Sequence, residues 1–294
     1  MDENDWLAAR FEEHRGELRA VAYRMLGSLS DADDALQETW LRLSRTDVSD
    51  VHNLAAWLTT VVGRVCLGML RSRRIRREQP FSPHLPDPVV SPADGIDPEQ
   101  EALLADSVGL ALLVVLDLLP PAERLAFVLH DMFAVPFDDI APIVGRSPAA
   151  ARQLASRARR RVQGAAPPPD RDLTRQWEVV DAFFTAARGG SFEGLVAVLD
   201  PEVVLRADGG VGASAVIRGA DAVARQALMF SGPGRQARRA LINGAAGVVA
   251  FAAGRAVSVM SFAVTGGRIT TIDALTDPAR LAQLDLTALD HSDQ

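Results

Sequence analysis

The spacing of apolar residues along the chain predicts a helical first half and a mixed second half. Helical periodicity runs from about residue 3 to 78, stops in a proline-rich stretch at 79–100, and resumes over 101–163. After a second break at 164–172, two helical stretches precede several short runs of β-type residues. The pattern therefore predicts two all-α regions followed by an α+β domain.

The second half is predicted to form an antiparallel sheet with helices packed on it. The helical stretches are 174–188 and 191–199, and the sequence "TGG" at 265–267 predicts a tight hairpin turn between the last two strands. The strand candidates are VVLRA (203–207), RALING (239–244), GVVAFAA (247–253), RAVSVMSFAV (255–264) and RITTIDAL (268–275).

The stretch 147–162 has the pattern of a basic amphipathic helix. Ser147 is a suitable N-cap and Pro148 a suitable first helical residue. A narrow apolar stripe formed by Ala151, Ala155, Ala158 and Val162 predicts the packed side. The opposite side carries the candidate DNA contacts, which are Ser147, Ala150, Arg152, Gln153, Ser156, Arg157 and Arg160.

The residues before this helix favour a DNA-binding role over a merely solvated helix. A helix is predicted over 121–132 and a second from Phe137, with a turn at Gly145 leading into the basic helix. This order resembles a helix-turn-helix, in which the last helix enters the major groove. Pro142 removes one hydrogen bond from the second helix and is expected to kink or shorten it.

Charge is distributed unevenly along the chain. The formal net charge is -7 over 294 residues, yet 64–77 and 146–163 each contain six arginines and no acidic residue. Because local charge governs contact with nucleic acid, these two basic islands outweigh the net acidity.

Composition also bears on size and compartment. A length of 294 residues and 48% hydrophobic residues predict two or three compact units. The single cysteine, Cys66, suits a reducing compartment and is predicted to be a buried thiol. The acidic N-terminus and a longest apolar run, 108–119, that is interrupted by Asp117 support neither a signal peptide nor a membrane span. We therefore expect a cytoplasmic protein that does not bind a membrane.

The N-terminal region completes a familiar order of motifs. "DADDALQETWLRL" (31–43) begins with acids near a helix start and places Leu36, Trp40 and Leu43 on one face. "AAWLTTVVGRVCLGMLRSRRIRRE" (55–78) is an apolar helix that runs into the first arginine island. Together with the helix-turn-helix, this order resembles region 2 and region 4 of an extracytoplasmic-function (ECF) RNA polymerase sigma factor.

Three shorter segments resemble the SigJ-type subgroup of these sigma factors, which carries a SnoaL-like C-terminal extension. They are "HLPDP" (84–88), "DGG" (208–210) and "DPARL" (277–281). The resemblance implies region 2 at 1–78, a linker at 79–100, region 4 at 101–163, a second linker at 164–173, a SnoaL-like or NTF2-like domain at 174–285, and a tail at 286–294.

The resemblance also implies partners and the residues that meet them. Core RNA polymerase, through its β and β′ subunits, and promoter DNA are the implied partners. The implied polymerase contacts are Asp33, Asp34, Gln37, Glu38, Trp40 and Leu41, whose carboxylates suit a basic partner. The implied contacts with the -10 element are Asn53, Trp57, Arg64, Arg71, Arg73 and Arg74, whereas the basic helix would meet the -35 element. Trp57 is more readily explained as a core residue than as a base-stacking one.

Departures from the family pattern affect promoter choice. Arg64 and Gly68 stand where such sigma factors commonly have Asn and Asp, and Leu154 stands where the recognition helix commonly has a basic residue. These differences leave the promoter sequence open.

The C-terminal domain has two interpretations. Asp208 and Asp273 could serve as acid and base in a small-molecule enzyme, but turn or surface aspartates are the more common occurrence. We therefore expect a regulatory module rather than an enzyme, with no cofactor or metal, and the question of a small ligand stays open. The implied regulatory residues are Leu85, Pro86, Asp208, Gly209, Gly210, Asp277 and Pro278. A bifunctional enzyme and a simple DNA-binding repressor are the alternatives.

Overall fold

The structure is a computed structural model that describes residues 3–46, 53–76, 84–95, 109–165, 170, 172–210, 212–232 and 234–289. The chain forms two compact units. Of the described residues, 3–76 and 113–165 belong to the N-terminal unit, whereas 84–95, 109–112 and 170–289 belong to the C-terminal unit.

Outside the proline-rich stretch, the described part of the first half of the chain is helical, as predicted. Ser28 caps the second helix by accepting a hydrogen bond from the Asp31 amide, and Asn53 accepts one from the Ala56 amide at the start of the third. The helices are α1 (Glu3–Leu26), α2 (Leu29–Leu43), α3 (Leu54–Arg76), α4 (Leu110–Asp117), α5 (Pro121–Phe127), which continues into a π-helical turn (Val128–Met132), α6 (Phe137–Val144) and α7 (Pro148–Ala165).

The predicted helix-turn-helix is confirmed in detail. Pro142 lies inside α6, which is only eight residues long, and Gly145 ends it in the left-handed conformation at φ 67°. Ser147 then accepts a hydrogen bond from the Ala150 amide at the start of α7. The apolar stripe of α7 is packed as expected, since Ala151, Ala155 and Ala158 have no exposed surface.

One apolar helix of the N-terminal unit passes a simple test for a membrane span. Leu54–Arg73 is long and apolar enough by length and composition. However, Leu58, Val62 and Cys66 on this helix are fully buried. This burial is typical of the core helix of a folded domain.

The C-terminal unit is an α+β domain built on one seven-stranded sheet with the order β1-β4-β5-β6-β7-β2-β3. Among the described strands only β2 and β7 pair in parallel, which departs from the predicted antiparallel sheet. The segment "TGG" forms the predicted tight turn with Gly266 and Gly267 at positive φ. The strands are β1 (Val90–Pro92), β2 (Leu199–Asp208), β3 (Ala215–Arg218), β4 (Arg235–Ile242), β5 (Ala245–Ala252), β6 (Arg255–Thr265) and β7 (Arg268–Leu275).

Both faces of this sheet are covered. Three helices form a core with residues on one face of the sheet, and Phe183 and Phe262 pack together in this core. These helices are α8 (Leu173–Arg188), α9 (Phe192–Val198) and α10 (Ala220–Phe230). The short helix α11 (Pro278–Leu281) and a 3-10 turn (Thr287–Leu289) pack with β1 on the other face. This arrangement of helices over a sheet agrees with the predicted NTF2-like domain.

Four elements of the C-terminal unit were not expected. The sequence pattern did not indicate β1, β3, α10 or α11 as elements. β1 lies in the proline-rich stretch 79–100 and pairs with β4, where Val90 faces Ile242. The described part of that stretch, 84–95, is therefore an integral part of the C-terminal unit.

Candidate functional sites: two helical faces and a clamp on the linker

The predicted polymerase-binding residues lie on and beside the outer face of α2. Ala32, Ala35, Leu36 and Leu43 are buried on its inner face, because they recur at helical spacing. Asp34, Gln37, Glu38 and Leu41 are exposed, whereas Asp33 and Trp40 are half-buried.

Helix α1 supplies the second wall of this face. Arg19 of α1 holds the Asp33 carboxylate with two hydrogen bonds of 2.7 and 3.0 Å, and Phe11 packs against Trp40 with ring centroids 5.4 Å apart. A cleft of about 470 Å³ lies between the two helices, and Asp34 and Gln37 line it. The cleft brings polar and aromatic side chains together on one accessible surface.

The candidate -10 residues fall into two groups along α3. Asn53 caps the helix, and Arg64 and Arg71 are exposed. Trp57 is half-buried, in keeping with a packing role. Arg73 donates a hydrogen bond of 3.1 Å to the Leu26 carbonyl and forms an ion pair with Asp31, so it supports region 2 internally. The side chain of Arg74 and residues 47–52 lie outside the described residues.

The basic side of α7 is exposed, but several of its arginines also bind within region 4. Arg157 donates to the buried Glu123 carboxylate of α5 at 2.8 Å, and Arg161 pairs with the same carboxylate. Arg152 lies over the Phe137 ring at 5.2 Å. Gln153 and Arg160 are exposed, whereas Ala150 and Ser156 are half-buried. Glu123 therefore fixes α7 from the inside while the far side of the helix stays accessible.

The three short motifs meet at one buried cluster in the C-terminal unit. The Asp208 carboxylate, at the end of β2, accepts hydrogen bonds from the Leu85 amide at 2.8 Å and from Arg280 at 2.6 Å. Arg280 also donates to the Leu85 carbonyl at 2.7 Å and to the Asp87 carboxylate at 2.6 Å. Both backbone polar groups of Leu85 are thus held, and Leu85 and Asp208 are almost fully buried. We name this cluster of Leu85, Asp87, Asp208 and Arg280 the linker clamp.

Each remaining motif residue shapes the clamp or lies beside it. Asp277 caps α11 by accepting from the Ala279 amide, and the Asp208 carbonyl accepts from the Thr276 and Asp277 amides. Gly210 has φ 85°, a backbone conformation that side chains with a Cβ rarely adopt, and a Cβ added there would lie 2.7 Å from an Asp277 carboxylate oxygen. The other motif residues are the half-buried Gly209, the buried Pro86 and the exposed Pro278 at the first turn of α11.

Sequence reasoning named the motifs but not two of the residues that act in them. Arg280 and Asp87 lie inside "DPARL" and "HLPDP", and a signal was available, since oppositely charged residues in two motifs of the same subgroup are candidates for an ion pair. What the motifs could not indicate is that one guanidinium joins Asp208, Asp87 and Leu85.

The candidate catalytic aspartates do not face the helix-covered core. Phe262 and Ile272 are paired on neighbouring strands and belong to the core that α8–α10 cover. Asp273 is the next residue after Ile272, so its side chain points to the opposite face. There it is buried and bound to Arg206 at 2.6 Å. Asp208 is likewise engaged by the clamp.

Comparison with known proteins identifies the class of both helical regions. Residues 10–76 match the model of sigma-70 region 2 and residues 109–162 that of sigma-70 region 4. The chain is 42% identical over 274 residues to the ECF RNA polymerase sigma factor SigJ of Mycobacterium tuberculosis H37Rv, covering 90% of this chain and 86% of that protein.

Two further comparisons extend over nearly the whole chain. The probable ECF RNA polymerase sigma factor SigI of Mycobacterium tuberculosis is 35% identical over 97% of this chain and 98% of its own length. The crystal structure of Mycobacterium tuberculosis SigJ matches with a TM-score of 0.75 and 36% identity, covering 93% of this chain and 97% of that one. The chain belongs to the family of ECF RNA polymerase sigma factors.

Proposed function

We propose that this chain is an initiation factor that binds core RNA polymerase through α2, directs it to promoter DNA through α3 and α7, and is regulated by its C-terminal unit. The observation that carries the regulatory part is the linker clamp. Membership of the sigma family and the two matched regions support the initiation role and a cytoplasmic place of action.

The outer face of α2 supports polymerase docking. Asp34 and Glu38 lie one helical turn apart on the exposed side, beside the cleft of about 470 Å³. Carboxylates arranged in this way suit a basic partner surface, and they raise the rate of encounter as well as the specificity. A DNA-binding repressor needs no such face, which favours the initiation factor.

The linker clamp supports a regulatory role because it binds the segment that connects region 2 and region 4. Leu85 and Asp87 lie between region 2 and region 4, so whatever holds their backbone constrains the connection between the two DNA-binding regions. A clamp that is made in one arrangement of the regions and broken in another shifts the balance between them by its own interaction free energy. We infer that the C-terminal unit acts through this constraint.

An enzymatic role for the C-terminal unit receives less support. Both candidate aspartates are bound by arginines on the face of the sheet opposite the α8–α10 core. A general acid or base must reach a substrate, and these carboxylates are buried beneath their own partners. We therefore propose a non-enzymatic, regulatory unit.

In vitro transcription with core polymerase on a genomic library, with sequencing of transcript starts, tests the proposal. The parent chain is expected to start transcription at a defined set of promoters, and Arg280→Met to change their output several-fold. Arg225→Met is the matched control, because Arg225 is an exposed arginine in the same unit. Absence of any specific start would overturn the sigma role, whereas equal output from the parent and Arg280→Met would overturn regulation through the clamp.

A further inference from the structure

The arginines of α7 differ in the partners that they have within region 4. Arg157 and Arg161 both pair with the Glu123 carboxylate. Arg152 is exposed, and it forms neither an ion pair nor a hydrogen bond with the residues that the structure describes. Its contact is with an aromatic ring, since its guanidinium carbon lies 5.2 Å from the ring centroid of Phe137 at the start of α6.

The kind of partner decides what an arginine can still bind. A carboxylate neutralises the charge of a guanidinium and competes with a DNA phosphate for the same N–H donors. An aromatic ring attracts the guanidinium through its face but carries no net charge and accepts no strong hydrogen bond. Arg152 therefore keeps its full charge and its N–H donors for DNA, while the ring restricts where the side chain points.

Arg152 also lies where a recognition helix meets base edges. It is near the start of α7, which begins at Pro148, and the N-terminal residues of a recognition helix are those that contact bases. An arginine reads a guanine with two parallel hydrogen bonds, which requires one orientation of the guanidinium. Because ordering a long side chain on binding costs free energy, a contact that orders it beforehand strengthens the complex.

The Phe137 ring is itself held in place by its neighbours. It stacks on the His130 ring with centroids 3.8 Å apart and an interplanar angle of 30°. The His130 Nδ1 atom lies 3.0 Å from the Val135 carbonyl oxygen, and it is the donor because a carbonyl can only accept. Pro136 precedes the ring and fixes the backbone at the start of α6 with φ -62°. The surface beneath Arg152 is therefore rigid.

We propose that Phe137 is a positioning residue for promoter recognition, because it holds the Arg152 guanidinium in the orientation in which α7 presents it to DNA. The inference rests on the proposed initiation function. It adds a residue outside the basic helix that governs how one arginine of that helix binds. It is independent of the linker clamp, since both residues belong to region 4.

A double-mutant cycle on promoter binding tests the proposal with the full chain bound to core polymerase. Phe137→Leu keeps an apolar side chain but removes the flat ring, and Arg152→Ala removes the guanidinium. Dissociation constants are measured on a promoter fragment recovered from the transcription library. Both single variants should bind more weakly than the parent chain, Phe137→Leu by about two- to fivefold. Phe137→Leu should cause no further loss once Arg152 is replaced by alanine.

The matched control is the same cycle with Arg160→Ala in place of Arg152→Ala. Arg160 is an exposed arginine of α7 that contacts no aromatic ring among the described residues. The losses from Phe137→Leu and Arg160→Ala should therefore multiply, as expected for side chains that act independently. Phe137→Tyr keeps the ring and should bind DNA as the parent chain does.

A purely structural role of Phe137 predicts a different result. Damage to α6 would weaken binding by the same factor whether or not Arg152 is present, so losses that multiply in the Phe137 and Arg152 cycle would overturn the proposal. Parent-like binding by either single variant would overturn it as well. Circular dichroism follows the folding of each variant, and Phe137→Met replaces Phe137→Leu in the cycle if the latter does not fold. Failure of the parent chain to direct core polymerase to any promoter would instead count against the initiation function.

Discussion

The Asp208 carboxylate and the Arg280 guanidinium lie 2.6 Å apart although 72 residues separate them in the chain. The pair joins the end of β2 to α11, and through it the C-terminal unit holds the backbone of Leu85. Both side chains are largely shielded from water, at 3% and 16% exposure, so the interaction is only weakly screened.

Removing the arginine of the clamp should free the linker backbone. Arg280→Met leaves the Asp208 carboxylate buried without its charged partner, which costs about 3 kcal/mol. Hydrogen exchange at the Leu85 amide is therefore expected to be roughly 100-fold faster than in the parent chain, as followed by mass spectrometry. Arg225→Met should leave that rate unchanged, and equal protection in both variants would contradict the clamp.

Charge reversal on α2 tests polymerase docking. Asp34→Arg together with Glu38→Arg should abolish co-purification with core RNA polymerase, because both side chains project from the exposed face and neither supports the core. The charge-matched control is Glu193→Arg with Asp221→Arg, two exposed acids of the C-terminal unit. Retention of the α2 variant by core polymerase would remove α2 as the docking face.

Substitutions at two arginines of α7 should differ in their effect on the stability of region 4. Arg157→Ala takes a hydrogen bond from the buried Glu123 carboxylate and is expected to destabilise region 4 by about 1 kcal/mol. Arg160→Ala changes an exposed side chain and should cost less than about 0.5 kcal/mol.

In complex with core polymerase, both α7 variants should bind promoter DNA more weakly than the parent chain does. If the arginine binds a phosphate, its removal should make the slope of log K against log salt shallower by about one. Chemical denaturation and filter binding over a salt series measure the two effects. Equal stability of the two variants would argue against the role of Glu123 as an anchor of α7.

The buried Asp273 predicts a specific pH dependence. Burial raises the pKa of Asp273 above its ordinary value of 3.8, although Arg206 opposes part of the increase. The folded chain then keeps a proton that the unfolded chain has lost, so the free energy of unfolding falls as the pH rises through the folded pKa and is regained on acidification towards 3.8.

Asp273→Asn cannot titrate and serves as the reference. The unfolding free energy of the parent should rise relative to this variant as the pH is lowered through that window, as measured from urea midpoints. If the unfolding free energy of the parent instead falls relative to this variant on acidification, Arg206 outweighs burial and the pKa of Asp273 is lowered.

The single thiol should be inert in the folded chain. Cys66 has no exposed surface, and burial raises the pKa of its thiol to about 12. Because the thiolate is the reactive form, a thiol reagent at pH 8 is expected to react only after denaturant is added. Immediate reaction of the native chain would show that α3 is not packed as described.

Features that depend on near neighbours in the chain could be predicted from the pattern of residues. The cap and apolar stripe of α7, the turn at Gly145 and the "TGG" hairpin follow from side-chain spacing and backbone preference within a few residues. The separation of α2 into a core face and an exposed face has the same origin. For this reason the spacing of residues along the chain is sufficient to locate the two DNA-binding regions.

The contacts between distant segments could not be predicted in this way. The sequence of strand β1 is typical of a proline-rich linker. The strand forms because it pairs with β4, about 150 positions later in the chain. Arg280 and Leu85 are 195 positions apart, and the buried Arg124 donates a hydrogen bond to the Arg24 carbonyl across 100 positions. A charged residue in a sequence is expected at the surface, and only the surrounding fold can supply the partners that make its burial tolerable.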